Sequence, residues 1–257
     1  MSPGFSDLAG KIVLVTGAST GIGAAVARAF GAVGARVCVH YNSSQADADK
    51  VVADIRAGGA DAWAEQADLG ASGNAAALVG RVAAHAGGLD VLVNNAGDLL
   101  GRVPFVEADE ALFRRLIDLN VTSLVEACRA ALPHLRARGG GAIVNTTSVA
   151  ARNGGGPGTV LYAATKGAVS TFTRGLAKEV AKDGIRVNGV APGIIVTPLH
   201  ARFTAPAQME ALVAGIPMGR AGTAEECAGA YLFLASAALS SYITGQIIEV
   251  NGGQLMP

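Results

Sequence analysis

The sequence is short of charge, of aromatic rings and of cysteine, and each shortage excludes something. Only 16% of its 257 residues are charged, and 20 basic residues balance 20 acidic ones. No basic stripe follows a helix face; Arg114-Arg115 and the Arg136/Arg138 pair read as solvated surface. A nucleic-acid partner needs clustered cations against phosphate and is not expected. Cys38, Cys128 and Cys227 are odd in number and far apart. They read as free thiols in a reducing compartment, not as a disulfide framework. His40, His85, His134 and His200 form no H-E-x-x-H or Cys/His cluster, so no metal is expected. No apolar run approaches the ~18 residues of a bilayer span. The start, Met1 to Asp7, lacks a basic segment followed by an apolar one. The expected location is the cytoplasm.

What is present is apolar surface: 51% of the residues are hydrophobic, too many for a disordered chain. Short β-branched runs predict strands over residues 11–16, 35–41, 62–69, 89–94, 142–147, 185–191 and 247–250. Helical spacing predicts helices over 21–33, 45–57, 74–86, 162–182 and 224–235, with one short and one long helix inside 107–138. Gly58-Gly59, Gly87-Gly88 and Gly184 stand at predicted helix ends, where a left-handed residue is favoured. Strands separated by helices imply βαβ units. The expectation is an α/β fold in one domain over residues 1–257, with a doubly wound parallel sheet of about seven strands. Residues 197–222, with Pro198, Pro206 and Pro217, show no period and read as a substrate loop or lid.

The first predicted strand runs into Thr16-Gly17-Ala18-Ser19-Thr20-Gly21-Ile22-Gly23, which opens a helix. In a chain with 35 glycines such a turn is a weak signal by itself. Its place between the first strand and the first helix makes it a pyrophosphate site, because free N–H groups and a positive dipole end meet there. Tyr162 and Lys166 stand four apart at the start of a long predicted helix, on one face. An unperturbed phenol titrates near ~10, and a nearby ammonium lowers that value. Tyr162 then serves as a general acid or base. The pair alone equally fits a buried tyrosine beside a snorkelling lysine. Ser148 ends the fifth predicted strand, where a hydroxyl can polarise a carbonyl; taken singly it is an ordinary cap.

Four motifs in order, TGASTGIG at 16–23, NNAG at 94–97, YAATK at 162–166 and PG at 192–193, make the chain resemble the short-chain dehydrogenase/reductase family nearly end to end. The resemblance implies a Rossmann fold and an NAD(P)-dependent oxidoreductase that moves a hydride between nicotinamide and a ketone or secondary alcohol. It implies four catalytic residues. Asn120 would hold the active-site helix and a relay water. Ser148 would polarise the carbonyl, Tyr162 would transfer the proton, and Lys166 would lower the Tyr162 pKa and bind the nicotinamide ribose. It also implies a cofactor shell. Gly17, Ser19, Thr20, Gly21, Ile22 and Gly23 form the turn. Tyr41, Asn42, Ser43 and Ser44 meet the ribose, and Asp68 and Leu69 the adenine. Asn94, Ala96 and Gly97 follow, then Tyr162 and Lys166 themselves, and finally Pro192, Gly193, Ile195 and Thr197.

The chain departs from the family pattern twice. The interval from Ser148 to Tyr162 is one residue longer than usual, which falls in residues 154–158. Where an acidic residue would grip a ribose 2′-hydroxyl stands Tyr41, followed by Asn42-Ser43-Ser44. No carboxylate repels a 2′-phosphate there, so NADP(H) is favoured, with NAD(H) as the second choice. Substrate contacts are expected from 149–161, 98–103 and 197–217, a largely apolar set with Asn153, His200 and Arg202 as polar members. That set fits a ketone with apolar substituents and leaves a small polyol open. The alternatives are a 3-oxoacyl-thioester (acyl-carrier-protein) reductase and, in another class, a non-catalytic nicotinamide redox sensor. The resemblance implies a homotetramer, with residues 112–138 and 162–182 packing on their counterparts and Gly252 to Pro257 reaching a neighbour.

Overall fold

Strands β1 (Ile12–Val15), β2 (Arg36–Tyr41), β3 (Ala62–Gln66), β4 (Val91–Asn94), β5 (Gly141–Thr146), β6 (Ile185–Pro192) and β7 (Ile247–Val250) form one sheet. Every pairing is parallel, and the order is β3-β2-β1-β4-β5-β6-β7. The structure, a computed structural model, describes residues 4–256, without the side chains of residues 199–201. The expected contact His200 and the chain ends Met1 to Pro3 and Pro257 therefore lie outside the described residues. β1 and β4 are buried at every position, which is why they read as unbroken apolar runs. The strand order reverses between β1 and β4. In open α/β sheets the crevice beyond the carboxyl ends at such a reversal is where ligands bind.

The helices are α1 (Gly21–Ala32), α2 (Gln45–Ala57), α3 (Asn74–Ala86), α4 (Glu110–Ile117), α5 (Ser123–Ala137), α6 (Ala150–Asn153), α7 (Val160–Val180), α8 (Pro198–Phe203), α9 (Pro206–Ala214), α10 (Ala224–Ala235) and α11 (Ala237–Ser240). On one sheet face Val26 and Phe30 of α1, Val51 and Ile55 of α2 and Tyr231 of α10 share a core. On the other, Leu78 and Val82 of α3, Leu135 of α5 and Val169 of α7 share a second. Burying a side chain such as Phe30 contributes roughly 1.5–3 kcal/mol. The fully buried Tyr231 also sets its hydroxyl 2.8 Å from Thr146 Oγ1, which fixes the end of β5.

Three segments differ from expectation. The short and long helices expected in 107–138 are α4 and α5, fused through a π-helical turn at Asp118–Thr122. The wider turn sets Asn120 inside it, 1% exposed. The irregular stretch 197–222 contains α8 and α9. Pro206 opens α9 at a favourable first-turn position, yet α9 buries no residue, so no one-sided apolar stripe announces it. Its ends are tied by Val196 N donating to Gly222 O and Gly222 N to Ile194 O, both at 2.9 Å. β3 is shorter than expected, because after Gln66 the chain turns toward α3.

Candidate active site

The turn between β1 and α1 is held by hydrogen bonds from three directions. Thr16 Oγ1 accepts from Asn95 N at 2.9 Å and from Ala96 N at 3.0 Å. Asn95 Nδ2 donates to Thr16 O and Gly17 O. Gly17 N donates to His40 Nδ1 at 2.9 Å, and His40 Nε2 lies 3.0 Å from Ala67 O. Nδ1 accepts, so the proton sits on Nε2, and burial lowers the His40 pKa in the same sense. The glycines are required by close approach. A Cβ on Gly23 would lie 2.2 Å from Gly17 O, and one on Gly17, at φ +62°, 2.9 Å from Ala96 Cα. Thr20 makes no side-chain cap, so the first N–H groups of α1 stay available. This uncapped helix start behind a glycine cradle fits a dinucleotide pyrophosphate.

The turn opens into a cavity of about 540 Å³. Gly17, Ser19, Thr20, Gly21, Ile22, Gly23, Asn42, Ser43, Ser44, Leu69, Ala96, Gly97, Tyr162, Lys166, Pro192, Gly193, Ile195 and Thr197 all line it. Three expected shell residues do not. Tyr41 packs against the α1 side of the core. Asp68 shapes the turn into α3, accepting from Gly70 N on Oδ1 and from Asn74 Nδ2 on its carbonyl. Asn94 is buried in the sheet, where Nδ2 donates to Asn145 Oδ1 at 2.9 Å. Strand alternation sends its side chain away from the turn. The neighbouring Asn95 and also His40 are on the wall instead. Asn95 was within reach of the sequence, one place along the same motif. A lone histidine carried no signal.

Ser148 follows β5, and Tyr162 and Lys166 occupy the first turns of α7. Ser148 Oγ accepts from Ala150 N at 3.1 Å and also hydrogen-bonds the Tyr162 hydroxyl. Lys166 is 3% exposed, donates from Nζ to Thr146 O at 2.9 Å, and lies 5.8 Å from the centre of the Tyr162 ring. The net lowering of the Tyr162 pKa expected from Lys166 is not seen, because burial dominates. Burial pushes the phenol up to about 12, with the Ser148 bond acting in the opposite direction. Burial also brings Lys166 down to about 8. Burial is the largest cause of both shifts. Tyr162 therefore holds its proton at neutral pH.

Asn120 does not reach the cavity wall. Its Oδ1 accepts from Asp98 N, and its Nδ2 donates to Asp98 O and Thr165 Oγ1, all between 3.0 and 3.2 Å. Thr165 Oγ1 donates in turn to Tyr162 O at 2.7 Å. Asn120 thus ties the 98–102 loop to the start of α7, which makes it a positioning residue in this geometry. A Cβ on Gly97 would lie 2.9 Å from Asn120 Oδ1 and 3.2 Å from Lys166 Nζ, so glycine keeps their meeting point open.

The rest of the wall is more polar than expected. Asp98, Arg102, Asn153, Gln208 and Gln254 share it with Leu99, Val149 and Leu212. Arg202, expected to touch substrate, pairs instead with Asp98 at 3.1 Å and holds α8 to the 98–102 loop. Arg102 lies in the 98–103 segment expected to meet substrate, though nothing singles it out there, and Gln254 carries no sequence signal. Among the described residues the buried Gln254 Oε1 has no hydrogen-bond partner. Among the described residues no His, Cys, Asp and Glu cluster could hold a metal, and no helix is long and apolar enough to cross a membrane.

Comparison with known proteins agrees with this geometry. A family model described as enoyl-(acyl carrier protein) reductase matches residues 17–254. A 3-oxoacyl-[acyl-carrier-protein] reductase of Synechocystis is 40% identical, over 97% of this chain and 98% of its own. An NADH-dependent reductase, A1-R', described as responsible for alginate metabolism, superposes in its complex with NAD with a TM-score of 0.87. It is 41% identical over 98% of this chain and all of its own. A putative NAD(P)-dependent gluconate 5-dehydrogenase of Beutenbergia cavernae, with NADP bound at low occupancy, superposes with a TM-score of 0.90. It is 37% identical over 98% of this chain and 99% of its own.

Proposed function

We propose a mechanism from one premise: this chain belongs to the short-chain dehydrogenase/reductase family and is an NAD(P)-dependent oxidoreductase of CH–OH and C=O groups. Its substrate in our reading is a small hydroxylated ketone or aldehyde. The observation that carries the mechanism is the meeting of Ser148, Tyr162 and Lys166 on the wall that also holds the glycine turn. The bound cofactor supplies or accepts the hydride. Ser148 donates a hydrogen bond to the substrate oxygen and orients it. Tyr162, protonated at neutral pH, gives that oxygen its proton as negative charge develops. The Lys166 ammonium stabilises the phenolate left behind and offers donors to the nicotinamide ribose. Asn120 keeps Tyr162 and the 98–102 loop in register.

The hydroxylated substrate is favoured by the polar wall, which a plain alkyl ketone would leave unpaired. Two relatives of this kind, one tied to alginate metabolism and one named for gluconate, support the same reading. The second reading, a 3-oxoacyl-thioester reductase, is supported by the name of the Synechocystis relative. The intact proton-donor set argues against a redox sensor. At the ribose end Asn42, Ser43 and Ser44 offer uncharged donors without a carboxylate, so the cofactor of choice is NADP(H), with NAD(H) also accepted. The chain works as one domain, in the cytoplasm, as a homotetramer. Exposed Phe105, Val106 and Phe113 near α4, and the half-exposed edge strand β7, provide surface for subunit contacts.

The test is oxidation of NADPH and NADH across hydroxylated ketones, alkyl ketones and 3-oxoacyl thioesters. The reading expects the highest kcat/KM for a hydroxylated ketone with NADPH. Preference for the thioester would replace it with the second reading. Binding of both cofactors without turnover across the panel would favour the sensor.

A further inference from the structure

Arg102 is a half-buried cation on the cavity wall, and among the described residues no carboxylate pairs with it. Its donors meet neutral oxygens only. Nε donates to Phe203 O at 2.8 Å, while the contacts of its terminal nitrogens with Pro157 O and Thr204 Oγ1 are long, at 3.4 Å. Other partly buried arginines are compensated. Arg36 pairs with Asp61, and Arg186 donates to Leu234 O and Ala235 O at the carboxyl end of α10, where the helix dipole is negative. Among the described residues Arg102 has no carboxylate, and its only helix-end contact is the Phe203 carbonyl that closes the six-residue α8, which leaves its terminal nitrogens with the two long contacts. A guanidinium keeps its charge even when partly desolvated, and its planar fork suits a carboxylate.

The seat of Arg102 is also built in advance. Two residues before it, Leu100 adopts φ +54°, a costly conformation for a residue with a side chain. Leu100 N donates to Asp98 Oδ1 at 2.9 Å, and Asn120 clamps the Asp98 backbone on both sides. From the other side the glycine-rich loop leans on the Arg102 backbone, with Val103 N donating to Gly158 O at 3.0 Å. A Cβ on Gly158 would come within 3.0 Å of Arg102 C and of Val103 N, so glycine there admits the Arg102 backbone. Strain and close approach are spent on holding one cation in the substrate cavity.

We infer that Arg102 receives a carboxylate of the substrate, so that the enzyme acts on a hydroxylated oxo-acid. The inference rests on the oxidoreductase reading above and narrows its substrate class. One carboxylate, not a phosphate dianion, matches the charge available. Among the described residues the only other lysine or arginine on the wall is Lys166, which serves Tyr162 and the nicotinamide ribose in the mechanism above.

The experiment compares a hydroxylated oxo-carboxylate with its primary amide, in the wild type, R102M and R102K. The readout is the ratio of their kcat/KM values. The wild type is expected to prefer the carboxylate by roughly 10- to 100-fold, mainly through KM. The ratio should fall toward one in R102M and recover in part in R102K. A merely structural tie to α8 predicts equal losses for both substrates and an unchanged ratio, which would overturn the inference. Greater preference for a phosphorylated ketone would overturn it as well. Calorimetric binding of the same pair to the enzyme–NADP+ complex reads the contact without turnover. A wild-type preference for the carboxylate that R102M abolishes supports the inference even if the reaction assignment fails. Equal binding in the wild type overturns it.

Discussion

Replacing Tyr162 with Phe is expected to lower kcat roughly 10²- to 10⁴-fold, the range for loss of a positioned proton donor. The NADPH dissociation constant should change far less. The substitution removes one hydroxyl and keeps the ring, which packs beside Lys166 with 5.8 Å between Nζ and the ring centre. Ser148 keeps its bond from Ala150 N but loses the phenol. Lys166 keeps its bond to Thr146 O, so the lysine is not released. Steady-state rates and fluorescence titration of NADPH separate the two effects. If kcat stays within a few-fold of the wild type, Tyr162 is not the donor and another group on the wall must supply the proton.

Replacing Gly23 with Ala is expected to weaken cofactor binding roughly 100-fold, which corresponds to about 3 kcal/mol of displaced structure. The added Cβ would meet Gly17 O at 2.2 Å and Asn95 Nδ2 at 2.5 Å. The first atom belongs to the phosphate turn itself, and the second holds that turn to the end of β4 through Thr16 O and Gly17 O. Neither can move without opening the cradle. Gly80→Ala in α3 is the control, because a Cβ there would meet nothing within 4 Å. It should leave cofactor binding intact and raise stability by up to about 1 kcal/mol, since alanine favours a helix interior over glycine. Calorimetric NADPH titration and urea unfolding check the pair. Equal cofactor affinity in G23A would mean that the turn is not the pyrophosphate seat.

Where the sequence was explicit, the structure follows it closely. α2, α3, α10 and β7 have the expected bounds. α10 begins at a capping box, Thr223 with Glu226, and α3 closes on a left-handed Gly87. Ser148, Tyr162, Lys166 and the glycine turn share one wall, as their order along a doubly wound sheet implies. What stayed hidden depends on contacts between distant segments. The π turn at Asn120 has no period of its own. Asn94 and Asn95 are the same residue type, and only the pleat decides which one faces the turn. His40 and Arg102 gain their roles from Gly17 and from Phe203, which are remote in sequence. The Tyr162 pKa went the opposite way from expectation because burial is a property of the folded site, while the i, i+4 spacing reports only proximity.

The pH dependence of carbonyl reduction tests the central claim most directly, through kcat/KM for NADPH, which reports groups of the free enzyme. A phenol near 12 stays protonated across the assay range, so its titration leaves no mark. Lys166 near 8 is charged below that pH and loses its proton above it. The account predicts a level profile from about pH 6 to the upper sevens, then a fall approaching tenfold per unit beyond about pH 8. That limb should be missing in K166M. A profile already falling between pH 6 and 7 would show Tyr162 titrating near neutrality under the influence of Lys166, and would contradict the burial-controlled site described here.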